Sequence, residues 1–241
     1  MENVVHLIDC MEYMKTMPDK YYELAICDPP YFSGPEKLGY YGARTSSTGV
    51  YREEFKKIGV WDLPDQEYFN ELKRISRNQI IWGINYFSFA GQISGRIIWD
   101  KCNDQSSFSK CEIASCSSIA TVQQFRFMWN GMMQGKSITL GTTQQGDKNL
   151  NEKRIHPTQK PVALYKWLLK NYAKPNDKIF DSHVGSGSSR IACYDMGFDF
   201  TGCELDPDYW KGQEERFKSH AMQGDLFSSS ELQKSMLDKL Y

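Results

Sequence analysis

Four consecutive residues, Asp28-Pro29-Pro30-Tyr31, have the chemistry of a site for a planar amine. They directly follow an apolar run at residues 23–27, which is typical of a buried strand, and parallel sheets bind ligands at the carboxyl ends of their strands. The two prolines have no backbone N–H and a fixed φ, so their carbonyls are left to accept hydrogen bonds from an exocyclic amino group. Asp28 adds a carboxylate, and Tyr31 adds a flat face for stacking. The structural alternative is a strand-to-loop turn with a packing tyrosine.

A second motif lies at residues 179–189, where a predicted strand ends at Asp181 and a glycine-rich turn opens a helix. Gly185 and Gly187 let the backbone approach a ligand closely, and the helix N-terminus offers N–H groups to an anion. The turn lacks the third glycine of the dinucleotide fingerprint and the lysine of a P-loop, which disfavours NAD and ATP. About twenty residues further on, Glu204 is placed to accept two ribose hydroxyls. The pattern therefore fits a nucleoside with a small zwitterionic arm.

The order of the predicted elements indicates an α/β fold with a doubly wound, largely parallel sheet of seven strands. The candidate strands are residues 4–8, 23–27, 79–82, 96–99, 113–119, 178–181 and 200–203. Helices are predicted from about Met11 to Pro18, from Asp65 to Ile75, from Pro161 to Tyr172, from Ser188 to Met196 and from Asp206 to about His220, by apolar spacing and capping residues.

Two stretches interrupt this alternation. Residues 33–59 are rich in Gly, Ser, Tyr and charge and are too long for an ordinary turn, so they are interpreted as a flap over the substrate. Residues 121–155 interleave polar side chains with aromatic ones and show no clear period. They are either an insertion that contacts bases or a polar excursion with a small aromatic cluster. Residues 1–220 form the predicted catalytic domain, followed by a tail at 221–241.

Composition narrows the class of protein. The net charge of −1 excludes binding of a polyanion through global charge, so any nucleic-acid contact needs a local basic patch. The candidate patches are Arg44, Arg52, Lys56 and Lys57; Lys73, Arg74 and Arg77; and Arg126, Lys136, Lys148, Lys153 and Arg154. Seven cysteines without C-x-x-C spacing predict reduced thiols and no metal site. The first residues resemble neither a leader nor a membrane span, so a soluble cytoplasmic protein without membrane contact is expected.

Taken together, the motifs resemble the S-adenosylmethionine-dependent DNA amino-methyltransferases, in the permuted order in which the catalytic motif precedes the cofactor motif. Asp28-Pro-Pro-Tyr31 matches the catalytic motif, and His156-Pro-Thr-Gln-Lys-Pro161 matches the segment before the cofactor strand. Asp181 with Gly185-Ser-Gly187 matches the glycine-rich motif, Glu204 the ribose-binding acid, and Asp9 the acidic residue near the cofactor adenine. The resemblance covers most of the chain and implies a Rossmann-like methyltransferase fold, with residues 121–155 as a short target-recognition region.

The resemblance implies that S-adenosylmethionine donates a methyl group to the N6 amino group of an adenine flipped out of DNA, leaving S-adenosylhomocysteine. The implied catalytic residues are Asp28, Pro29, Pro30 and Tyr31, and the implied cofactor-binding residues are Asp9, Thr158, Gln159, Lys160, Asp181, His183, Gly185, Ser186, Gly187 and Glu204. His183 departs from the family, where an aromatic residue is common, so its contact with the cofactor is an open alternative to a loop histidine. Residues 158–160 lie between two prolines, so a purely structural role at the start of a helix is an alternative to cofactor binding.

Several alternatives stay open. Cytosine N4 would be held by the same contacts, although an aspartate before Pro-Pro-Tyr favours adenine by resemblance. RNA or protein amides are lesser rivals as substrates, and the rivals from other classes are a catalytically silent nucleic-acid-binding module and a nucleotide-binding oxidoreductase. A homodimer and an association with restriction–modification are compatible with the motifs. Near the end, Gln223-Gly-Asp-Leu-Phe227 resembles a peptide that docks on the sliding clamp, or is a polar tail with one packing phenylalanine.

Overall fold

The computed structural model describes residues 2–31, 63–88, 93–104, 109–130 and 133–237, with side chains of the last helix described as far as Met222. The flap predicted at residues 33–59, together with its basic residues Arg44, Arg52, Lys56 and Lys57, lies outside the described residues.

Strands and helices alternate along the described chain. The strands are β1 (Asn3–Leu7), β2 (Tyr22–Cys27), β3 (Ser76–Trp82), β4 (Arg96–Asp100), β5 (Cys111–Cys116), β6 (Val122–Arg126), β7 (Trp129–Asn130), β8 (Met133–Gln134), β9 (Lys178–Asp181) and β10 (Asp199–Glu204). The helices are α1 (Cys10–Thr16), α2 (Gln66–Ile75), α3 (Val162–Tyr172), α4 (Ser188–Met196) and α5 (Pro207–Leu237).

The central sheet has eight strands in the order β1-β10-β9-β2-β3-β5-β4-β6. The first five strands of this order pair in parallel, whereas β5 runs antiparallel to β3 and β4 on either side of it. All seven predicted strands are therefore present, and the predicted doubly wound, largely parallel sheet is confirmed. The prediction missed β6, which pairs in parallel with β4 and forms an edge of the sheet.

Apolar cores cover both faces of the sheet, as expected for strands that are buried on two sides. From Leu24 onward the side chains of β2 alternate: Leu24 and Ile26 pack in the core formed with α3 and α4, whereas Ala25 and Cys27 pack in the core formed with α1 and α2. This two-sided burial explains why residues 23–27 read as a continuous apolar run. It also holds the end of β2, and the residues that follow it, in a fixed position.

The helix boundaries follow from capping. Asp9 caps α1, and Asp65 caps α2 by accepting a hydrogen bond from the Tyr68 amide. Asp206 accepts from the amides of the first turn of α5, and Gly197, in the left-handed region at φ 78°, ends α4. Helix α5 extends to Leu237 rather than ending near His220. Among the described residues, no helix has the length and apolar character needed to cross a membrane.

The stretch at residues 121–155 is more regular than its sequence indicates. It begins with β6, continues into the short antiparallel pair β7–β8, and ends in a single 3-10 turn at Lys148–Leu150. Its aromatic side chains Phe125, Phe127 and Trp129 are buried in the main core. The aromatic cluster of this stretch therefore belongs to the core of the fold.

Because β10, β9, β2 and β3 are parallel neighbours, their carboxyl ends meet at one edge of the sheet. Glu204 and Asp181 end β10 and β9, Asp28 follows β2, and Gly83 follows β3. The two motifs that stand about 150 residues apart in the sequence thus lie side by side, as the general rule for ligand sites of open α/β sheets requires.

Candidate active site

Asp28 lies at the start of the loop after β2, and its two carboxylate oxygens have different surroundings. Oδ2 accepts a hydrogen bond from the Nζ atom of Lys160. Oδ1 is buried, and none of the described residues donates a hydrogen bond to it. A buried acceptor without a donor costs free energy, so Oδ1 marks a position where a ligand N–H would be stabilised.

Lys160 connects Asp28 to a second buried carboxylate that the sequence analysis did not identify. The Lys160 ammonium lies 3.0 Å from Oε2 of Glu112 on β5, and the other oxygen of Glu112 lies 2.5 Å from the ammonium of Lys101. The Lys160 side chain is 2% exposed. Two carboxylates and two ammonium groups therefore form a charge-balanced cluster beside the site.

The cluster shifts the acidities of its members. Burial raises the pKa of Asp28, and the Glu112 carboxylate adds to that effect, whereas Lys160 opposes it. Burial also works against ionisation of Glu112, but Lys160 and Lys101 hold its pKa at about 2. Burial opposes protonation of Lys160, yet the two carboxylates raise its pKa well above the usual value. Lys160 is thus a cation at any physiological pH.

Tyr31 packs where β3 ends. Its ring lies against Gly83, at which a Cβ atom would approach the ring to 2.2 Å, so only glycine fits there. The ring of Tyr86 stacks on Tyr31 with a centroid separation of 4.8 Å and an interplanar angle of 12°. Tyr86 is 59% exposed. Neither Gly83 nor Tyr86 was identified from the sequence, although both lie in the loop directly after a predicted strand.

The glycine-rich turn has the backbone that the sequence predicts. Gly185 and Gly187 have φ values of 53° and 77°, in the left-handed region that favours glycine. A Cβ atom on Gly185 would lie 3.7 Å from the His156 ring, an ordinary van der Waals distance, so this side of the turn faces His156. On the other side, a Cβ atom on Gly202 of β10 would lie 2.3 Å from Val184, which makes this glycine necessary for the turn to pack on the sheet.

Glu204 ends β10, and Asp9 follows the neighbouring strand β1. Oε2 of Glu204 accepts a hydrogen bond from the Gly185 amide at 2.8 Å, and Oε1 accepts from the Asp206 amide at 3.0 Å. Burial raises the pKa of Glu204. Asp9 accepts from the amides of Met11 and Glu12 as the cap of α1, a structural role that the sequence analysis did not give it.

The segment at residues 181–183 links the glycine-rich turn to Tyr68, which packs in the core formed with α1 and α2. Asp181 accepts hydrogen bonds from the His183 amide at 3.0 Å and from the Ser189 hydroxyl at 2.6 Å. Ser182 lies 2.8 Å from Nδ1 of His183 and 2.7 Å from the hydroxyl of Tyr68. Burial lowers the pKa of His183 to about 4, so its ring is neutral at pH 7.

Other predicted cofactor residues have contacts that brace the loop. The Gln159 side chain accepts from the Ile155 amide at 2.9 Å and donates to the Lys153 carbonyl at 3.2 Å. Thr158 bonds to Nδ1 of His156 at 3.1 Å, and the buried hydroxyl of Ser186 lies 3.2 Å from that of Ser188. These contacts favour the helix-entry interpretation for Gln159. The Lys160 side chain donates to Asp28.

Asp181 makes the stability of the fold pH-dependent. Burial raises the pKa of Asp181 from 3.8 to about 7. The folded state therefore holds this proton more tightly than the unfolded state, so the stabilisation is complete below pH 3.8 and is lost as the pH rises through about 7. Between pH 5 and pH 8 we expect the free energy of unfolding to lose about 1–3 kcal/mol from this group.

The variant Asp181→Asn keeps an acceptor for the His183 amide and cannot ionise, so it should lack this loss. Denaturant unfolding of the cofactor-free protein at pH 5 and pH 8 measures the difference between the variant and the wild type. An identical pH dependence of the two proteins would show that Asp181 is ionised throughout this range.

The basic residues are distributed unevenly around the site. Lys73, Arg74 and Arg77 lie where α2 ends and β3 begins, which is the edge of the sheet opposite to Asp28. Arg74 is also engaged with Glu71 and Asp19. In the second stretch, Arg126 pairs with Asp100, and Arg154 lies over the ring of Trp129. The cluster formed by Lys73, Arg74 and Arg77 therefore does not face the site.

Within the described part of the chain, no cluster of three or more His, Cys, Asp or Glu side chains could hold a metal ion. The groups that the structure places at this edge of the sheet are a carboxylate, proline carbonyls, an aromatic face and a glycine-rich turn.

Comparisons with known proteins indicate the class to which the chain belongs. The DNA methylase family of N6 and N4 methyltransferases matches residues 123–215. The Type II methyltransferase M.HinfI of Haemophilus influenzae is 25% identical over 246 residues, which cover 87% of this chain and 67% of that protein. The Type II methyltransferase M2.LlaDCHI of Lactococcus lactis subsp. cremoris is 27% identical over 128 residues, 53% of this chain and 43% of that protein.

Solved structures share the fold. A complex of M1.HpyAVI with S-adenosylmethionine superposes with a TM-score of 0.55 at 17% identity and covers 88% of this chain and 97% of that one. The cytosine-N4-specific PvuII DNA methyltransferase superposes with a TM-score of 0.54 at 12% identity and covers 90% of this chain and 86% of that one. At these identities the likeness shows the fold, which is the Rossmann-like methyltransferase fold.

The family match and the curated relatives identify the chain as a DNA methyltransferase, and the class predicted from its motifs is confirmed.

Proposed function

We propose that the chain transfers a methyl group from S-adenosylmethionine to the N6 amino group of an adenine flipped out of DNA. The observation that carries this proposal is the Oδ1 atom of Asp28, a buried acceptor at the carboxyl edge of the sheet for which no described residue provides a donor. An exocyclic amino group has two N–H donors. Asp28 Oδ1 and the carbonyl of Pro29 supply the two acceptors.

The residues at the glycine turn fit the cofactor. Gly185 and Gly187 have no side chain to separate a ligand from the backbone, and among the described residues no side chain caps the N-terminus of α4. Glu204 is held by two backbone amides and retains lone pairs for ribose hydroxyls. When bound, S-adenosylmethionine supplies a methyl group that is already activated by a sulfonium sulfur. Calorimetry with S-adenosylmethionine and with NAD separates this proposal from the oxidoreductase alternative, which predicts binding of NAD.

The protein groups act on the amine. The N6 lone pair is delocalised into the purine ring, so N6 is a poor nucleophile. Two acceptors that fix the N–H bonds turn the lone pair out of the ring plane and aim it at the methyl group, which is catalysis by positioning. After transfer, the nitrogen carries a positive charge and readily loses a proton. Asp28 Oδ1, already hydrogen-bonded to that nitrogen, is placed to receive it.

Tyr31 provides the stacking surface for the flipped base. Extrusion of a base costs a few kcal/mol of lost pairing and stacking, and one aromatic contact returns about 1–3 kcal/mol. In the structure the ring of Tyr86 covers Tyr31. We propose that Tyr86 holds the place of the base on Tyr31 and moves aside, or contacts the base, when the base enters.

The variants Tyr31→Ala and Tyr86→Ala should therefore differ. Loss of Tyr31 removes the stacking surface, so the affinity for DNA with a fluorescent base analogue at the target position should fall by about 5- to 150-fold. Loss of Tyr86 removes only a competitor or a second contact, so the change should be smaller. Fluorescence titration measures both affinities. Equal losses, or no loss for Tyr31→Ala, would contradict the assignment.

Which base is methylated, adenine at N6 or cytosine at N4, is the more specific part of the proposal. An aspartate before Pro-Pro-Tyr favours adenine by resemblance, but the same two acceptors fit the N4 amino group of cytosine. The PvuII enzyme, which shares the fold, is described as cytosine-N4-specific. Cytosine-N4 methylation is therefore the second candidate.

Four finer points stay predictions. The role of residues 121–155 in target recognition is supported by their exposed polar side chains Gln123 and Gln124, at the edge of the sheet. The clamp-like peptide at residues 223–227 lies within α5, beyond the described side chains. A homodimer also stays a prediction. A cytoplasmic location agrees with seven cysteines that are all free thiols.

A further inference from the structure

We infer that Lys160 and Glu112 are positioning residues, which hold the Asp28 carboxylate so that one oxygen is fixed and the other faces the reacting amine. This inference rests on the proposed function of Asp28. It assigns a role in the reaction to Glu112 on β5. It also assigns Lys160 to the catalytic carboxylate rather than to the cofactor.

The first support is geometric. Lys160 donates to Oδ2 of Asp28 and lies 3.0 Å from Glu112, so the ammonium is held between two carboxylates. It also lies 5.6 Å from the centre of the Trp82 ring. Glu112 is itself held by Lys101. A carboxylate bonded through one oxygen to a fixed cation cannot rotate freely, so the direction of Oδ1 is set.

The second support is the free-energy cost of burying the charged side chain of Lys160. Removing charged groups from water carries a large penalty, and buried ion pairs are often no more stabilising than apolar side chains of the same volume. A lysine that is 2% exposed is therefore poorly explained by stability alone. A requirement for a cation next to the catalytic carboxylate explains its presence.

The third support is the rigidity of the Lys160 backbone. The carbonyl of the preceding residue, Gln159, accepts a hydrogen bond from the Trp129 indole at 2.9 Å. On the other side, Glu152 accepts from the Val162 amide at 3.0 Å and pairs with Arg216 at 3.0 Å. Both flanks of Lys160 are thus anchored to the second stretch and to α5. The position of its ammonium group follows from the fold.

The charged and titratable groups around Asp28 come from several elements. Besides Lys160 and Glu112, they are Lys101 after β4, Tyr31 in the same loop, Asp181 at the end of β9 and Tyr165 on α3. Lys160 favours the ionised form of Asp28, whereas Glu112 and burial oppose it. Removal of Lys160 and removal of Glu112 should therefore shift the ionisation of Asp28 in opposite directions.

The experiment compares Lys160→Met and Glu112→Gln with the wild type in DNA methylation assays over pH. For Lys160→Met we expect kcat at pH 7 to fall on the order of 10²-fold, as for a misplaced reacting group, and the acid limb of the kcat profile to move to higher pH. For Glu112→Gln, a near-isosteric change, we expect a smaller fall and an acid limb at lower pH. The affinity for S-adenosylmethionine, measured by calorimetry, should change less than about threefold in both.

The exposed residues Lys170 and Glu215 provide matched controls, and Lys170→Met and Glu215→Gln should leave both readouts unchanged. Acid limbs that shift in the same direction, or do not shift, would overturn the inference. So would a loss of cofactor affinity of tenfold or more for Lys160→Met, which would assign Lys160 to the cofactor. If Lys160→Met does not fold, the acid limb of Glu112→Gln decides. A wild-type protein that methylates no DNA would refute the proposed function instead.

Discussion

Asp28→Asn is expected to lower kcat by on the order of 10²–10⁴, the range that a positioned acid–base group contributes. The Lys160 ammonium requires an acceptor, so the amide oxygen of the asparagine will turn towards it. The amide NH₂ group then replaces Oδ1 and presents hydrogens to the hydrogens of the substrate amine. The variant is nearly isosteric, so the loss comes from the reversed polarity of one atom. Single-turnover methylation of DNA measures it.

Cofactor binding is the internal control for this variant, because Asp28 follows β2 whereas the glycine turn follows β9. The affinity of Asp28→Asn for S-adenosylmethionine should stay within a few-fold of the wild type. The exposed loop residue Asp104 offers a matched change, Asp104→Asn, which should retain full activity. Methylation by Asp28→Asn at close to the wild-type rate would remove Asp28 from the mechanism.

Glu204→Ala is expected to weaken S-adenosylmethionine binding by roughly 10- to 100-fold, since hydrogen bonds to a charged group contribute about 1.5–3 kcal/mol. Two effects combine in this variant. The ribose hydroxyls lose their acceptor, and the amides of Gly185 and Asp206 lose theirs, so the turn is less well held. Isothermal titration calorimetry measures the affinity directly.

The effect of Glu204→Ala should lie mainly in KM for the cofactor, because Glu204 is remote from the reacting amine in the proposed arrangement. At saturating cofactor, kcat should recover to within a few-fold of the wild type. Glu215→Ala, an exposed change on α5, serves as the control. An unchanged cofactor affinity in Glu204→Ala would contradict the proposed cofactor site.

The central part of the fold was predictable because local signals and global packing agree there. Strand β2 is buried on both faces, and this gives a continuous apolar run that ends at the polar residue Asp28. Gly185 and Gly187 have the positive φ values that their spacing in the turn implies. Asp28, which follows β2, and Asp181, which ends β9, lie on strands that are neighbours in the sheet, as the shared site predicted from the two motifs requires.

Contacts between distant residues could not be predicted in the same way. Lys160 resembles a surface lysine at a helix entry, and only the folded chain brings it to Asp28 and Glu112 across three separate elements. One sequence signal did exist. Glu112 is a charged residue within a short strand of otherwise uncharged residues, and a buried strand tolerates such a residue only when it is paired.

Strand β6, in the second stretch, was not predicted for a different reason. Strand β6 has the sequence Val-Gln-Gln-Phe-Arg, and of its five side chains only Phe125 is buried. An edge strand of this kind has little apolar alternation, so periodicity does not reveal it. Its place in the sheet comes from pairing with β4 and from the packing of Phe125 against Phe127 and Trp167.

Nucleoside analysis of DNA tests the central claim most directly. DNA from a host that expresses the wild-type protein, and from one that expresses Asp28→Asn, is digested and examined by mass spectrometry, and the modified positions are mapped by sequencing. The proposed function predicts N6-methyladenine within a defined sequence context in the first DNA and its loss in the second. N4-methylcytosine would contradict the assignment of the base, and equal methylation in both samples would contradict the role of Asp28 on which the proposed mechanism depends.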